Sequence, residues 1–244
     1  MKRIFFIALL AAISMMIQAQ TGQTGETTTK KKGIFPPEKI LDKLANEKKL
    51  TIDYQQIEDF VKQHPEEYKE LMRNFQSSFT SLYTGDVARL YYGYAFTKDF
   101  VPLNIPQTVK IQNLINVGKL EKAYNLCKKE LKKAPVSLAL LSKMTNIIGK
   151  FNKSGNTEKK AEGISHLARL TILFQTILES GTGFDKDHAM KVVYVPDEFV
   201  VFDKMMGLEL LEQEIVDDRY HCMTLDNNGK HLTLWFDTYL SKKR

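Results

Sequence analysis

The chain has 244 residues, a formal charge of +6 and 43% hydrophobic residues, and this length suits one large globular domain or two small ones. Its two cysteines are too few for a disulfide-rich scaffold. The positive charge is modest and comes from scattered lysines without a basic motif, which argues against a nucleic-acid partner.

The first 19 residues have the pattern of a cleavable secretory signal. Lys2 and Arg3 give a positive start, and residues 4–17 form an almost wholly apolar run. This run is shorter than the roughly 20 residues of a membrane-spanning helix. The small Ala19 precedes the polar Gln20, and we predict cleavage between them.

Removal of this signal lowers the formal charge to +4 and leaves no cysteine at the new start, so we expect no lipoprotein anchor. No later segment is apolar enough to span a bilayer. The sequence therefore predicts an exported chain, in the periplasm or secreted, whose mature form does not cross the membrane.

Residues 20–36 are predicted to be a flexible tether, because this polar stretch cannot bury enough apolar surface to offset its ordering entropy. Residues 37–182 have helical periodicity and are predicted to form a helical body. Asp53 is placed to cap one helix, His64-Pro65 ends it, and Gly118 joins two central helices. In the helix between Asp53 and His64, three apolar residues share one face: Ile57, Phe60 and Val61. In the helix that follows Gly118, five apolar residues do so: Leu120, Ala123, Tyr124, Cys127 and Leu131.

Residues 183–244 change to a period of two and are predicted to form a C-terminal α+β subdomain packed on the helices. We expect strands at 190–195, 210–216, 219–226 and 231–237, and a short helix from Pro196 to Met206. Asn228-Gly229 is a strong hairpin signal and sets Asp226 opposite His231. One face of that hairpin is apolar and must be covered by helices: Met223, Leu225, Leu232, Leu234 and Phe236.

The expected fold class is α+β, with a mainly helical-hairpin body followed by a small antiparallel sheet and one helix. The central hairpin resembles part of a tetratricopeptide repeat in a small set of positions: Gly118, Leu120, Ala123, Tyr124 and Pro135. The match covers about one repeat. The sequence therefore supports packed helical hairpins.

Three stretches, taken in order, resemble a known family. They are residues 90–96, the hairpin centre around Gly118, and the run from Gly181-Thr182-Gly183 through residues 189–195 to Gly207. The chain is similar here to the exported "domain of unknown function 4919" proteins of Bacteroidota. The resemblance implies a helical body with a C-terminal α+β part and implies no activity. The chain departs from the family pattern at residues 97–106.

The sequence contains no catalytic or metal-binding motif. None of the five histidines forms an H-E-x-x-H pair, and G-x-S-x-G is absent. Gly181-Thr182-Gly183 is interpreted as a helix stop, because no Lys-Ser/Thr pair follows it. His221 and Cys222 are adjacent on a strand and point to opposite faces. We expect no catalytic residue, metal or cofactor. Whether the protein is an enzyme stays open, and the absence of these motifs favours a protein without enzymatic activity.

The two cysteines allow two interpretations. A disulfide between Cys127 and Cys222 is conceivable, because exported chains meet oxidising conditions. The place of Cys127 on an apolar helix face favours a buried free thiol instead.

Two small groups are the candidate binding residues. Tyr91, Tyr92 and Tyr94 suit a binding surface, since tyrosine offers apolar area with a polar tip. The favoured alternative buries them, with the adjacent glycine allowing close helix packing. Asp226 and His231 are either a ligand or acid–base pair or, as we favour, a solvated cross-strand pair.

These features favour a non-catalytic exported protein of the cell envelope that binds a protein or peptide partner. The alternative is a small-ligand-binding protein or hydrolase that uses the C-terminal sheet. A deep pocket converging on Asp226, His231 or Tyr92 would favour the alternative. A filled sheet face with a shallow helical groove would favour partner binding.

Overall fold

The computed structural model describes residues 33–77, 82, 84–102 and 105–243. The predicted signal, its cleavage site and residues 20–32 of the predicted tether lie outside the described residues. The α-helices are α1 Pro37–Asn46, α2 Tyr54–Gln63, α3 Pro65–Ser77, α4 Thr84–Gly93, α5 Ile105–Asn116, α6 Leu120–Lys133, α7 Leu138–Lys153, α8 Lys160–Glu179 and α9 Val195–Phe199. The strands are β1 Met190–Lys191, β2 Glu209–Val216, β3 Tyr220–Asn227 and β4 Lys230–Asp237.

Local signals set the helix ends where the sequence predicts them. The Asp53 side chain accepts hydrogen bonds from the N–H groups of Gln55 and Gln56 and so caps α2. The break at His64 separates α2 from α3. Gly118 joins α5 to α6 with φ +71°, a conformation that glycine adopts without steric cost. The predicted helical body is confirmed over the described residues.

Helix α8 lies at the centre of the body. Consecutive helices from α5 to α8 pack on one another, and α4 packs against α2, α3 and α8. Eleven of the 20 residues of α8 are buried, so this helix has contacts on most sides. Ile34 and Phe35, in the range predicted as a tether, join this core: Phe35 stacks on Phe174 of α8 with ring centroids 5.8 Å apart.

The C-terminal strands form one sheet in the order β1-β4-β3-β2. The predicted register of the β3–β4 hairpin is confirmed, with Asp226 opposite His231 and Cys222 opposite Trp235. Its apolar face is covered by the helical layer. The strand residues Met223, Leu225, Leu234 and Phe236 are fully buried and join the hydrophobic core of the helices.

The expectation of an antiparallel sheet is wrong at one edge, because β1 pairs with β4 in parallel and the sheet is mixed. The predicted strand 190–195 also shortens to Met190–Lys191. The Val193 N–H donates to the Tyr91 hydroxyl at 3.1 Å, which takes the chain away from the sheet. The predicted helix that follows is present as α9, continued by a π-helix over Val200–Met205.

Close packing at Gly93 connects α4 to the preceding helical pair. A Cβ atom at this position would lie 2.9 Å from both Tyr68 Cε2 and Val61 Cγ2. We expect Gly93→Ala to lower the free energy of unfolding by about 1–3 kcal/mol through overpacking. Urea unfolding measures it, with Gly149→Ala on α7 as the matched control. A Cβ at Gly149 meets no described atom within 4 Å, so that change should stabilise or be neutral, and equal losses would contradict the prediction.

Candidate functional site

The three tyrosines of the candidate binding group lie inside the protein. Tyr91 and Tyr92 on α4 are fully buried, and Tyr94 is 6% exposed. The Tyr91 hydroxyl donates to Asp197 Oδ2 at 3.0 Å, and the Tyr92 hydroxyl donates to the Lys191 carbonyl at 3.2 Å. The three tyrosines are therefore buried, as the favoured alternative expects. Tyr91 and Tyr92 connect α4 to the C-terminal part, whereas the Tyr94 hydroxyl donates to the Lys133 carbonyl of α6 at 2.8 Å.

Asp197, at the start of α9, is a fully buried carboxylate that joins three helices. Its Oδ2 accepts from Tyr91, and its Oδ1 accepts from the Ala139 N–H at 3.0 Å and the Ser137 hydroxyl at 3.3 Å. Ser137 is the N-cap of α7 and Ala139 lies in its first turn, where free N–H groups favour a negative partner. Burial raises the pKa of Asp197 to about 7. The residue therefore fastens α4, α7 and α9 together.

The next residue, Glu198, forms a second buried pair with His221 of β3. His221 Nδ1 lies 2.7 Å from Glu198 Oε1, while Glu198 Oε2 has no hydrogen-bond partner among the described residues. Burial raises the pKa of Glu198, and the contact with His221 opposes that rise. An acid–imidazole pair suits proton transfer. Glu198 is fully buried and His221 is 7% exposed, so a substrate has no open path to the pair.

Asp226 and His231 face each other at the tip of the β3–β4 hairpin. Asp226 Oδ1 accepts from the Gly229 N–H at 2.7 Å, so this carboxylate closes the turn. Neither Asp226 nor His231 lines the two cavities described below. Their placement fits a solvated cross-strand pair.

Cys127 and Cys222 are both free thiols, so the conceivable disulfide is not formed. The Cys127 thiol is buried in α6 and donates to the Leu140 carbonyl at 3.4 Å. Burial raises its pKa to about 12, which keeps the thiol protonated and unreactive.

Two surface cavities of about 390 and 220 Å³ lie on the helical body and share two lining residues, Phe60 of α2 and Arg89 of α4. Arg89 Cζ lies 5.2 Å from the centroid of the Phe60 ring, and the His64 ring stacks on Phe60 at 5.6 Å. We call the two cavities together the α2–α4 groove. Phe60 lies where its two lobes meet.

The groove has an apolar floor and an acidic rim. Its apolar lining residues come from α2, α3, α4 and the segment before α2: Leu50, Ile52, Ile57, Phe60, Leu71 and Ala88. Five carboxylates belong to the lining: Asp53, Asp59, Glu67, Glu70 and Asp86. Arg89 and His64 are the basic side chains that accompany them. On a chain with a formal charge of +6, the groove is a local acidic region.

Among the described residues, the Arg89 guanidinium makes no hydrogen bond, so its donors can face the groove. Its side chain is 53% exposed, and its Nη1 lies 3.7 Å from Asp86 Oδ1, too far for a hydrogen bond. A guanidinium in this position can donate to a carbonyl or carboxylate of a bound molecule. The groove therefore combines apolar contact, carboxylates and one donor fork in a concave surface.

Among the described residues, no group of three or more His, Cys, Asp or Glu side chains is placed to hold a metal ion. Within those residues, too, every helix is too short or too polar to cross a membrane.

The fold defines the class of the molecule as an α+β protein with a helical body and a mixed C-terminal sheet. The model of a protein family described as "Domain of unknown function (DUF4919)" matches residues 55–243. The chain therefore belongs to this family, which confirms the resemblance at that level. No curated protein and no solved structure matches the chain.

Proposed function

We propose that this protein binds a protein or peptide partner in the cell envelope, without catalysis, and does so through the α2–α4 groove. The observation that supports this function is the groove's lining, an apolar floor around Phe60 below five carboxylates. Concave sites of this kind, with apolar contact area and a few oriented polar groups, are the usual form of binding sites.

The chemistry of the groove indicates the class of partner. Its carboxylates attract Lys and Arg side chains, and the apolar floor around Phe60 accepts an apolar side chain. Arg89 adds a donor for a main-chain carbonyl. The ligand is therefore a cationic segment that carries at least one large apolar side chain.

Export is the second part of the proposal. The charged start, the apolar run and the small residue Ala19 support cleavage before Gln20 and release into the periplasm or the medium. The consecutive packing of α5 to α8 is also the arrangement of helical interaction scaffolds such as tetratricopeptide proteins, which is an argument by analogy.

The alternative, a small-ligand-binding protein or hydrolase that uses the C-terminal sheet, has less support. Its best chemical group is the Glu198–His221 pair, which is buried. The two cavities lie on the helical body, and their lining includes neither Asp226, His231 nor Tyr92. Partner binding therefore remains the proposed function.

The decisive experiment uses the chain from Gln20 onward and two fluorescein-labelled peptides. One peptide repeats Arg-Leu-Lys, and the other has Glu in place of each cation. We expect the cationic peptide to bind, and we expect Phe60→Ala to weaken that binding about tenfold or more, because the change removes the groove floor. Fluorescence anisotropy measures both affinities, and thermal unfolding verifies that each variant is folded.

Phe199→Ala is the matched control, because Phe199 is a 37% exposed phenylalanine on α9, outside the groove. Glu70→Lys reverses one charge on the rim of the groove. It should weaken binding of the cationic peptide and strengthen binding of the acidic peptide. Equal binding of the two peptides would refute the proposed ligand class. Equal losses of peptide affinity in Phe60→Ala and Phe199→Ala would refute the α2–α4 groove as the binding site.

A further inference from the structure

The two edges of the C-terminal sheet are unequal. At one edge β1 has two residues, which leaves little backbone to pair with another strand. At the other edge β2 has eight residues, Glu209–Val216, and in the described part of the chain it pairs with β3 alone. One side of β2 therefore presents a row of main-chain N–H and C=O groups to solvent.

The side chains of β2 leave this edge open. Most residues of the strand are exposed, and the apolar side chains Leu211 and Ile215 are 50% and 59% exposed. Native sheets usually block long edges with lysine or proline, and β2 contains neither. An irregularity between Leu210 and Glu212 interrupts the start of the strand, so residues 212–216 form its regular part.

The register sorts the side chains of this regular part onto two faces. Glu212 and Glu214 pair with Thr224 and Cys222 and lie on the face away from the helices. Gln213 and Ile215 pair with Met223 and His221, so they lie on the helix-covered face, where both remain exposed. Gln213 Nε2 lies 3.2 Å from His221 Nδ1, so Ile215 is the apolar side chain of this row. A strand paired with the free edge of β2 would therefore have alternate side chains beside the glutamates on one face and beside Gln213 and Ile215 on the other.

We propose that the free edge of β2 binds an extended segment of a protein partner that has Lys or Arg at alternate positions and apolar residues between them. Main-chain hydrogen bonds to β2 hold the segment, as in β-strand addition. Its cationic side chains lie beside Glu212 and Glu214, and its apolar side chains cover Ile215. This edge is separate from the α2–α4 groove, so the inference does not depend on the proposed function.

The negative charges of β2 favour a basic partner segment over a second copy of the chain at this edge. Two β2 strands paired antiparallel about Gln213 would set Glu212 of one copy opposite Glu214 of the other. Like charges directly across a strand pair are destabilising. The acidic row Glu209, Glu212 and Glu214 therefore complements a basic partner and disfavours self-association.

The test uses the chain from Gln20 onward that also carries Phe60→Ala, so that binding in the groove is weakened. The probe is a capped eight-residue peptide that alternates Lys and Val. We expect it to bind and to slow amide hydrogen exchange in β2 about tenfold, while exchange at the floor of the groove does not change. A peptide with Glu in place of each Lys should bind about tenfold more weakly.

A double variant, Glu212→Lys with Glu214→Lys, should weaken the Lys-Val peptide about tenfold by reversing the charged row. The matched control, Glu121→Lys with Glu158→Lys, changes the net charge equally on the helical body and should have no effect. Equal loss of peptide affinity in both double variants would overturn the proposal. So would slower amide hydrogen exchange at residues outside β2 when the peptide is bound. So would a concentration-dependent dimer protected at β2, or tighter peptide binding after deletion of residues 20–32, which would make that segment the occupant.

Discussion

Replacement of Asp197 by alanine is expected to lower the free energy of unfolding by about 3–5 kcal/mol at pH 7. The change leaves three buried donors without their acceptor: the Tyr91 hydroxyl, the Ser137 hydroxyl and the Ala139 N–H. Urea unfolding measures the loss. Asp187→Ala, at an exposed position, should cost less than about 0.5 kcal/mol.

The pH dependence of this effect follows from the pKa of Asp197. Burial raises that pKa from its ordinary value of 3.8 to about 7, so the native state binds the proton more tightly than the unfolded chain does. The stability that the protonated form supplies is fully present below pH 3.8 and is lost as the pH rises through 7. The change amounts to about 4 kcal/mol.

A comparison with Asp197→Asn isolates this dependence, because asparagine keeps the shape and does not titrate. The free energy of unfolding of the native protein minus that of the variant should fall between pH 4 and pH 8. A difference that instead rises with pH would show that the three donors and the α7 N-terminus hold the carboxylate ionised, which contradicts the raised pKa.

The β3–β4 hairpin could be predicted in detail because its turn chemistry is local. Asn228 and Gly229 both adopt positive φ, at 55° and 84°, as a two-residue hairpin turn requires, and this fixes the strand register. The β2–β3 turn has the same backbone signs at Asp217 and Asp218, with φ of 53° and 51°. That turn contains no glycine, so its sequence gives a weaker signal.

The direction and length of β1 could not be read from the sequence, because both depend on distant partners. Met190 pairs with Phe236, and the strand ends where the Val193 N–H turns to the Tyr91 hydroxyl. The residues that make these contacts are about 46 and 102 positions apart in the chain, and loop closure at such distances leaves no local pattern. The sequence favours burial of the tyrosines, but the partners of their hydroxyl groups are visible only in the tertiary fold.

The α2–α4 groove was also beyond local reasoning. Periodicity places Phe60 on one helix face with Ile57 and Val61, but it cannot say that the face extends past its covering helices. Arg89 reaches the ring from another helix. The buried acids, in contrast, leave a signal: Asp197 and Glu198 interrupt an otherwise apolar run, residues 192–202, where charged residues must be buried and paired.

Replacement of Arg219 by methionine should lower the free energy of unfolding by about 3 kcal/mol, because it leaves a buried carboxylate without its cation. Arg219 donates to Asp237 through two bonds, Nε to Oδ1 at 2.9 Å and Nη2 to Oδ2 at 2.8 Å. Asp237 is 2% exposed, and within the described residues the other donor to its carboxylate is the Tyr239 N–H at 3.0 Å. Methionine keeps an apolar stem of similar length, so the loss of unfolding free energy measures the contribution of the guanidinium group.

The guanidinium also fills the space between two aromatic rings, with Arg219 Cζ 4.9 Å from the ring centroids of Tyr220 and Tyr239. Arg219→Lys keeps the charge and loses the two-pronged donor fork, so it should cost about half as much. Lys186→Met is the matched control, because Lys186 also lies over Tyr220 but pairs with an exposed acid, Asp217.

That surface pair is screened by solvent and should contribute little to stability, so the two methionine variants separate the buried charge from the ring contact. A large loss in Arg219→Met alone assigns the stability to the pair with Asp237, which closes the end of the sheet next to the last helical turn, Tyr239–Lys242. Equal losses in Arg219→Met and Lys186→Met would show that the cation–ring contacts, and not the buried ion pair, hold this corner of the fold.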